Sequence, residues 1–293
     1  MPKTFPPTFL GIDIGGTSVK AAVNVDGQWA HLGQSEFYAR PDTDRLRTAI
    51  RQAVGQVSDA AAIGLCVPGM MNADRTQIIL AVNVPGLMNL PLAGLVSGAL
   101  GWTGTRPVTI ANDAGAAAHD LYARRSLTGR LLLLTLGTGV GSIVLDDGGK
   151  LLNVEGGTSG NLGQIDVSIP GHDVIGPDGG AGGLEGYIGV GALRQMYGPD
   201  VSQAVSKFTG SEPALLALVR ALRITHAIYR PNHVCLAGGI GIRLKHLLPT
   251  LKQMVDRQLT SVARPDYTFT CADDDFHAAR GAAMLAAQSP IES

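Results

Sequence analysis

The chain has 293 residues, 45% of them apolar, with 23 Lys and Arg set against 24 Asp and Glu. That length suits one large domain or two ordinary ones. A net charge of −1 gives no electrostatic footprint for nucleic acid or an anionic membrane. Cys66, Cys235 and Cys271 are far apart and form no CxxC pair, so reduced buried thiols are expected rather than a cysteine-built zinc site. No apolar run approaches the roughly 20 residues that span a bilayer. The opening "MPKTFPPTFLGIDIGG" has no signal-peptide core, so a cytoplasmic protein is expected. Gly is abundant, at 39 residues, which points to tight turns and close backbone approaches.

In chain order, "FLGIDIGGTSVKAAVNVDGQ", Phe9 to Gln28, predicts a β-hairpin around a Gly/Thr turn. A third strand is expected near His31 to Phe37. A helix follows from about Asp42 to Val57, with Leu46, Ile50, Ala53, Val54 and Val57 on one face. Ala61 to Val67 reads as a buried strand. Val108 to Ile110 reads as another, ending at "NDAG", where a helix starts and runs to about Tyr122. "LLLLTLGTGVGSIVLDDGGK", Leu131 to Lys150, aligns without a gap on the first hairpin, the mark of a duplicated architecture. A long helix opens at Ser211 and Pro213. "HVCLAGGIG" is a strand entering a glycine turn, with a helix from Arg243, and strand "YTFTCA" leads to the closing helix "FHAARGAAMLAAQ". Strands alternating with helices predict an α/β fold, with a domain boundary near Gly115.

Several of these turns are placed for chemistry. Asp13 ends a buried strand before Gly15, Gly16 and Thr17. Such a turn can present amides and a hydroxyl to a phosphate, with Asp13 holding water around Mg²⁺; the plain alternative is an ordinary turn with a solvated Asp. Gly137, Thr138 and Gly139 repeat the pattern, so two hairpins could clamp the phosphates of one nucleotide. Neither is a P-loop, because GxxxxGK[ST] is absent. Gly238 and Gly239 form a third glycine turn, suited to the nucleoside half of a cofactor or to a simple strand–helix connection. Asn112 and Asp113 read either as a helix cap or as a substrate-orienting amide beside a general base. Glu185 stands at a helix start, where an acid also suits the macrodipole.

"DIGGT", "VPG", "NVPG", "NDAG", "LTLGTGVGS", "GGLEGYIG" and "AGGIG", in that order and over nearly the whole chain, resemble the ROK family of sugar kinases within the actin-like ATPase superfamily. The resemblance implies two RNase-H-like lobes closing around ATP and a sugar. These are an N-terminal lobe, 1–114, joined by a returning helix at about 277–288, and a C-terminal lobe, 115–276. It implies γ-phosphoryl transfer to a sugar hydroxyl, typically the 6-hydroxyl of a hexose. Asp113 is then the base and Asn112 its sugar-binding neighbour, while Gly69, Asn83 and Glu185 line the sugar pocket. Asp13, Gly15, Gly16, Thr17, Gly137, Thr138 and Gly139 hold the phosphates, and Gly238 and Gly239 lie beside the adenosine. A homodimer is the family expectation.

The chain departs from the family at two places. Many members carry ExGH where this chain reads "NLGQ", so Asn161 and Gln164 stand for a Glu and a His. Many also carry CxCGxxGC where this chain reads "GPDGGAGG", Gly176 to Gly183. His172 and a neighbouring Asp do not make a tetrahedral set, so no structural zinc is expected. An amide donates as well as accepts, so the preferred sugar should differ from glucose at that end. The rival readings are a sugar-binding sensor or regulator without turnover, and a kinase using another donor such as polyphosphate. The first phosphate loop begins at Asp13, which leaves no room for a helix-turn-helix before it, so DNA binding is not expected.

Overall fold

The first hairpin joins β1 (Thr8–Ile14) to β2 (Val19–Val25), antiparallel from Thr8↔Val25 to Ile14↔Val19. Asp26 and Gly27 both have positive φ, 50° and 76°, the backbone of a two-residue turn whose twist matches the strands it joins. So tight a turn starts the next strand at once: β3 is Gln28–Gln34, three residues earlier than the sequence suggests. Its exposure alternates along the strand, as an edge strand with one covered face requires. The computed structural model describes residues 7–68, 70–72, 74, 76–81, 84–103, 106–154, 158–263 and 266–288.

The remaining elements of the first half are α1 (Thr43–Val54), β4 (Ala62–Cys66), β5 (Met70–Met71), β6 (Ile78–Leu80), α2 (Leu92–Leu100), β7 (Val108–Ala111) and α3 (Asp113–Arg124). Helix α1 starts where the Asp42 side chain accepts the Arg45 N–H at 2.8 Å and stops at Gly55, φ 65°. Its Leu46, Ala49, Ile50, Ala53 and Val54 are buried. Each large side chain taken out of water this way is worth about 1.5–3 kcal/mol.

In the second half come β8 (Leu131–Leu136), β9 (Val140–Leu145), α4 (Leu184–Ile188), α5 (Val190–Tyr197), α6 (Val201–Ser206), α7 (Pro213–Tyr229), β10 (His233–Ala237), α8 (Gly238–Arg243), α9 (Leu248–Asp256), β11 (Thr268–Cys271) and α10 (His277–Gln288). The glycine stretch at 238–241 is itself helical, whereas the sequence reads as a turn with a helix from Arg243. Gly238 has φ 77°, and a Cβ there would lie 2.5 Å from the Leu136 carbonyl oxygen, so only glycine lets this helix start against β8.

Two units result, one of residues up to Asp120 together with those from Phe276, the other Leu121–Asp275. The first holds a sheet in the order β3-β2-β1-β4-β7 and the small pair β5-β6; the second holds β11-β10-β8-β9. In each, an antiparallel hairpin is extended by parallel strands: β1 by β4 and β7, β8 by β10 and β11. Strand β4, "AIGLC", is buried at every position, the continuous apolar run of a central parallel strand. The core of the first unit gathers Leu10, Ile12, Leu46, Ile50, Leu65 and Val96, and that of the second Leu132, Leu134, Tyr187, Leu218 and Leu236. No helix among the described residues is long and apolar enough to cross a membrane.

Candidate functional site

In the first unit, the register brings three strand ends level. Asp13 of β1 pairs with Cys66 of β4, and Cys66 with Ala111 of β7. These are the carboxyl ends of parallel strands, where open α/β sheets place their ligands. The buried Cys66 thiol is held well above its ordinary pKa, first by desolvation and then by the charges of Asp13 and Asp113. Asp13, the strand partner of Cys66, and Asp113, two residues beyond its other partner Ala111, thus stand at neighbouring strand ends. Cys66 itself stays protonated and donates to the Ala278 carbonyl at 3.7 Å.

Asn112 and Asp113 divide their duties. The Asn112 Oδ1 accepts the Gly115 N–H at 3.2 Å, and its carbonyl accepts the Ala116 N–H at 2.9 Å, so Asn112 is the cap of α3. Asp113 accepts the Ala114 N–H at 2.7 Å. Solvent reaches its side chain, yet surrounding protein desolvates the carboxyl and raises its pKa above the ordinary carboxylate value, against the pull of the Ala114 and Asp113 amides.

The first glycine turn is fixed through its carbonyls. Tyr38 donates its hydroxyl to the Gly15 carbonyl at 2.7 Å and its N–H to the Thr17 carbonyl at 2.8 Å, and Gly15 N–H donates to Ser18 at 3.0 Å. Burial, with the charge of Asp13, raises the Tyr38 pKa and keeps that hydroxyl a donor. The N–H groups of Gly16 and Thr17 have no acceptor among the described residues. Backbone amides left this way form a concavity for an anion.

The second unit repeats the device with other partners. Gly137 N–H donates to Gly139 at 3.0 Å, Val190 N–H donates to the Gly137 carbonyl at 2.9 Å, and Val140 N–H donates to Glu185 Oε2 at 2.9 Å. Thr138 and Gly139 keep N–H groups with no acceptor among the described residues. Gly238, packed on Leu136, starts α8 beside this hairpin. The Arg243 side chain, at the end of the same helix, donates to the Gly239 carbonyl at 2.6 Å.

Asn161 precedes and Gln164 ends a single 3-10 turn, Leu162–Gln164, and both are exposed. Buried Leu162 anchors the turn, and Ser142 of β9 ties it down, donating to the Gly160 carbonyl at 3.1 Å and accepting the Leu162 N–H at 3.3 Å. Between them lies Gly163. A Cβ there would stand 3.0 Å from the Val140 carbonyl and 3.2 Å from both Asn161 Oδ1 and Glu185 Oε2. Asn161, Glu185 and the second hairpin are thus brought together around one glycine.

The neighbouring span at Gly176 to Gly183 is ordered by its own bonds. Gly176 N–H donates to Gly180 at 2.7 Å, and Asp178 accepts the Gly180 N–H at 3.2 Å. Just before it, the Tyr187 hydroxyl accepts the Ile169 N–H at 2.9 Å and donates to the His172 carbonyl at 2.6 Å. Among the described residues, no three His, Cys, Asp or Glu side chains are grouped to hold a metal ion.

Gly69 and Asn83 lie outside the described residues. Sequence reasoning read Cys66 only as a buried thiol and did not single out Tyr38, Val140 or Ser142. Cys66 sits just before the "VPG" motif, and strand pairing across β1, β4 and β7 is the signal that finds it. Tyr38 carries no local signal.

A family model described as ROK family matches residues 9–289. An N-acetylmannosamine kinase of Escherichia coli O157:H7 is 32% identical over 162 residues, 54% of this chain and 53% of that protein. A glucokinase of Halalkalibacterium halodurans is 30% identical over 184 residues, 59% of this chain and 52% of that protein. The chain spans about half the length of the curated relatives it matches. The crystal structure of a ROK family glucokinase from Streptomyces griseus in complex with glucose and AMPPNP matches with a TM-score of 0.71 at 23% identity, over 96% of this chain and 100% of that one. That likeness shows the fold, an α/β architecture, as the sequence predicts.

Proposed function

The chain belongs to the ROK family, and on that premise we propose that it is an ATP-dependent sugar kinase transferring the γ-phosphoryl group to a hydroxyl, the 6-hydroxyl, of a hexose or hexose derivative. The observation that carries the proposal is the division of labour at the start of α3. Asn112 caps the helix, which leaves Asp113, a solvent-accessible carboxyl with a raised pKa, spare for proton transfer.

Asp113 takes the proton of the acceptor hydroxyl as that oxygen bonds to phosphorus. Asn112 has its Oδ1 engaged by the helix and keeps its amide N–H groups to orient the sugar. The unpartnered amides of Gly16 and Thr17, and of Thr138 and Gly139, fit phosphate oxygens. Gly238 and Gly239 would stand beside the adenosine. One carboxylate, Asp13, suits Mg²⁺, which keeps several of its waters. When bound, Mg²⁺ offsets charge on the phosphates. Glu185, Asn161 and Gln164 are read as the sugar wall. Its two amides both donate and accept, which favours a substituent pattern different from that of glucose. No structural zinc belongs to this reading, since the span where the family's cysteines would fall holds none.

The test is coupled ADP release over a panel of hexoses, amino sugars and N-acylated amino sugars. Asp113→Asn is expected to lower kcat by about 10²–10⁴-fold while sugar binding, read by calorimetry, persists. Undiminished turnover in that variant removes Asp113 from its role.

A further inference from the structure

The second hairpin is gripped on both flanks by the paired helices α4 and α5. Glu185, in the first turn of α4, accepts the Val140 N–H at 2.9 Å on one side of the turn. Val190, in the first turn of α5, donates to the Gly137 carbonyl at 2.9 Å on the other. The fit at Glu185 is close. A Cβ on Gly139 would lie 2.8 Å from Glu185 Oε2, and one on Gly163 would lie 3.2 Å from the same atom. One carboxylate therefore touches the hairpin and the wall carrying Asn161.

A negative charge next to a phosphate site is unfavourable by itself. Its presence there calls for a structural return, and Val140 supplies one. Val140 is only 7% exposed, and a buried N–H without an acceptor loses its solvation uncompensated. With Val140 N–H held by Glu185 and Gly137 N–H held by Gly139, the donors on the turn without an acceptor among the described residues are Thr138 and Gly139.

We infer that Glu185 is a positioning residue for the nucleotide as well as part of the sugar wall: its bond to Val140 holds the turn so that the Thr138 and Gly139 amides meet phosphate oxygens. This role rests on the kinase reading above. It predicts that nucleotide affinity depends on Glu185 even when no sugar is present.

The experiment is calorimetric titration of Mg-ADP without sugar into the wild type and into E185A, E185Q, G139A and the double variant G139A/E185A. Thermal midpoints serve as the folding control. E185A leaves the Val140 N–H unpaired and is expected to weaken ADP about tenfold. E185Q keeps an amide oxygen for that N–H and loses the charge, so it binds ADP at least as tightly as the wild type. G139A drives its methyl into the carboxylate and weakens ADP, but much less in the E185A background, where the obstruction is gone. Equal ADP affinity in E185A and wild type overturns the inference. So does a loss in E185Q as large as that in E185A, because charge rather than the hydrogen bond would then be responsible. Raised sugar KM with unchanged ADP affinity leaves Glu185 a sugar ligand alone. A wild type that binds no ADP sinks the kinase reading, and this role with it.

Discussion

Asp113 holds a carboxyl whose proton affinity in the folded chain exceeds that of an ordinary carboxylate. The folded state then binds that proton more tightly than the unfolded state does. The group's contribution to stability is present below the unfolded value, near pH 3.9, and is lost as pH rises through the raised folded value. Above that value the charged carboxylate lowers stability. Asp113→Asn should therefore melt higher than the wild type at pH 7–8 and converge with it below about pH 4, as scanning calorimetry across pH would show. A variant losing both turnover and stability at neutral pH would mean that the side chain serves packing. Much of this was legible beforehand: "NDAG" at a strand end marks Asn112 and Asp113. Which of the two caps the helix was not, because both types cap equally well. Tyr38 was illegible because its two bonds reach back to Gly15 and Thr17 across the hairpin.

At the scale of elements, α10 lies on β1 and β4 at backbone distance. A Cβ on Gly11 would come within 1.9 Å of the Ala279 carbonyl oxygen, and one on Gly64 within 1.9 Å of that of Ala282. From the helix side, a Cβ on Gly281 would meet the Ala116 carbonyl at 1.8 Å. The obstacles are backbone, which cannot turn aside as a side chain does. Gly64→Ala should cost at least the roughly 1–3 kcal/mol typical of overpacking and lower the thermal midpoint by several degrees; an unchanged midpoint would show that the helix shifts freely. A second tie fixes the same helix: buried Asp120 accepts from His277 at 2.6 Å and from Arg280 at 3.0 Å. The strands and helices themselves were readable from apolar period and turn residues. The glycines of β1 and β4 were not readable as contact points, since nothing in "LGID" or "IGLC" names the helix that will lie against them.

For the molecule as a whole, the duplication visible in the sequence is the organising fact. Phe9 aligned with Leu131 predicts two equivalent hairpins, and each sheet is built on one, extended by parallel strands on the same side. What the alignment does not carry is the fate of the last helix. After β11 the chain leaves the second unit, and α10 joins the first.

That return sets an order of events during synthesis. The second unit is one unbroken stretch, Leu121–Asp275, and all of its strands exist before α10 is made. The first unit exposes the faces of β1 and β4 until residues from His277 onward emerge, so its completion waits on contacts very distant in sequence. On a translating ribosome the later unit is expected to close first and the earlier one last. Protease resistance of chains stalled after Asp275 and after Gln288 reads that order directly, and early protection of the first unit in the shorter chain would reverse it.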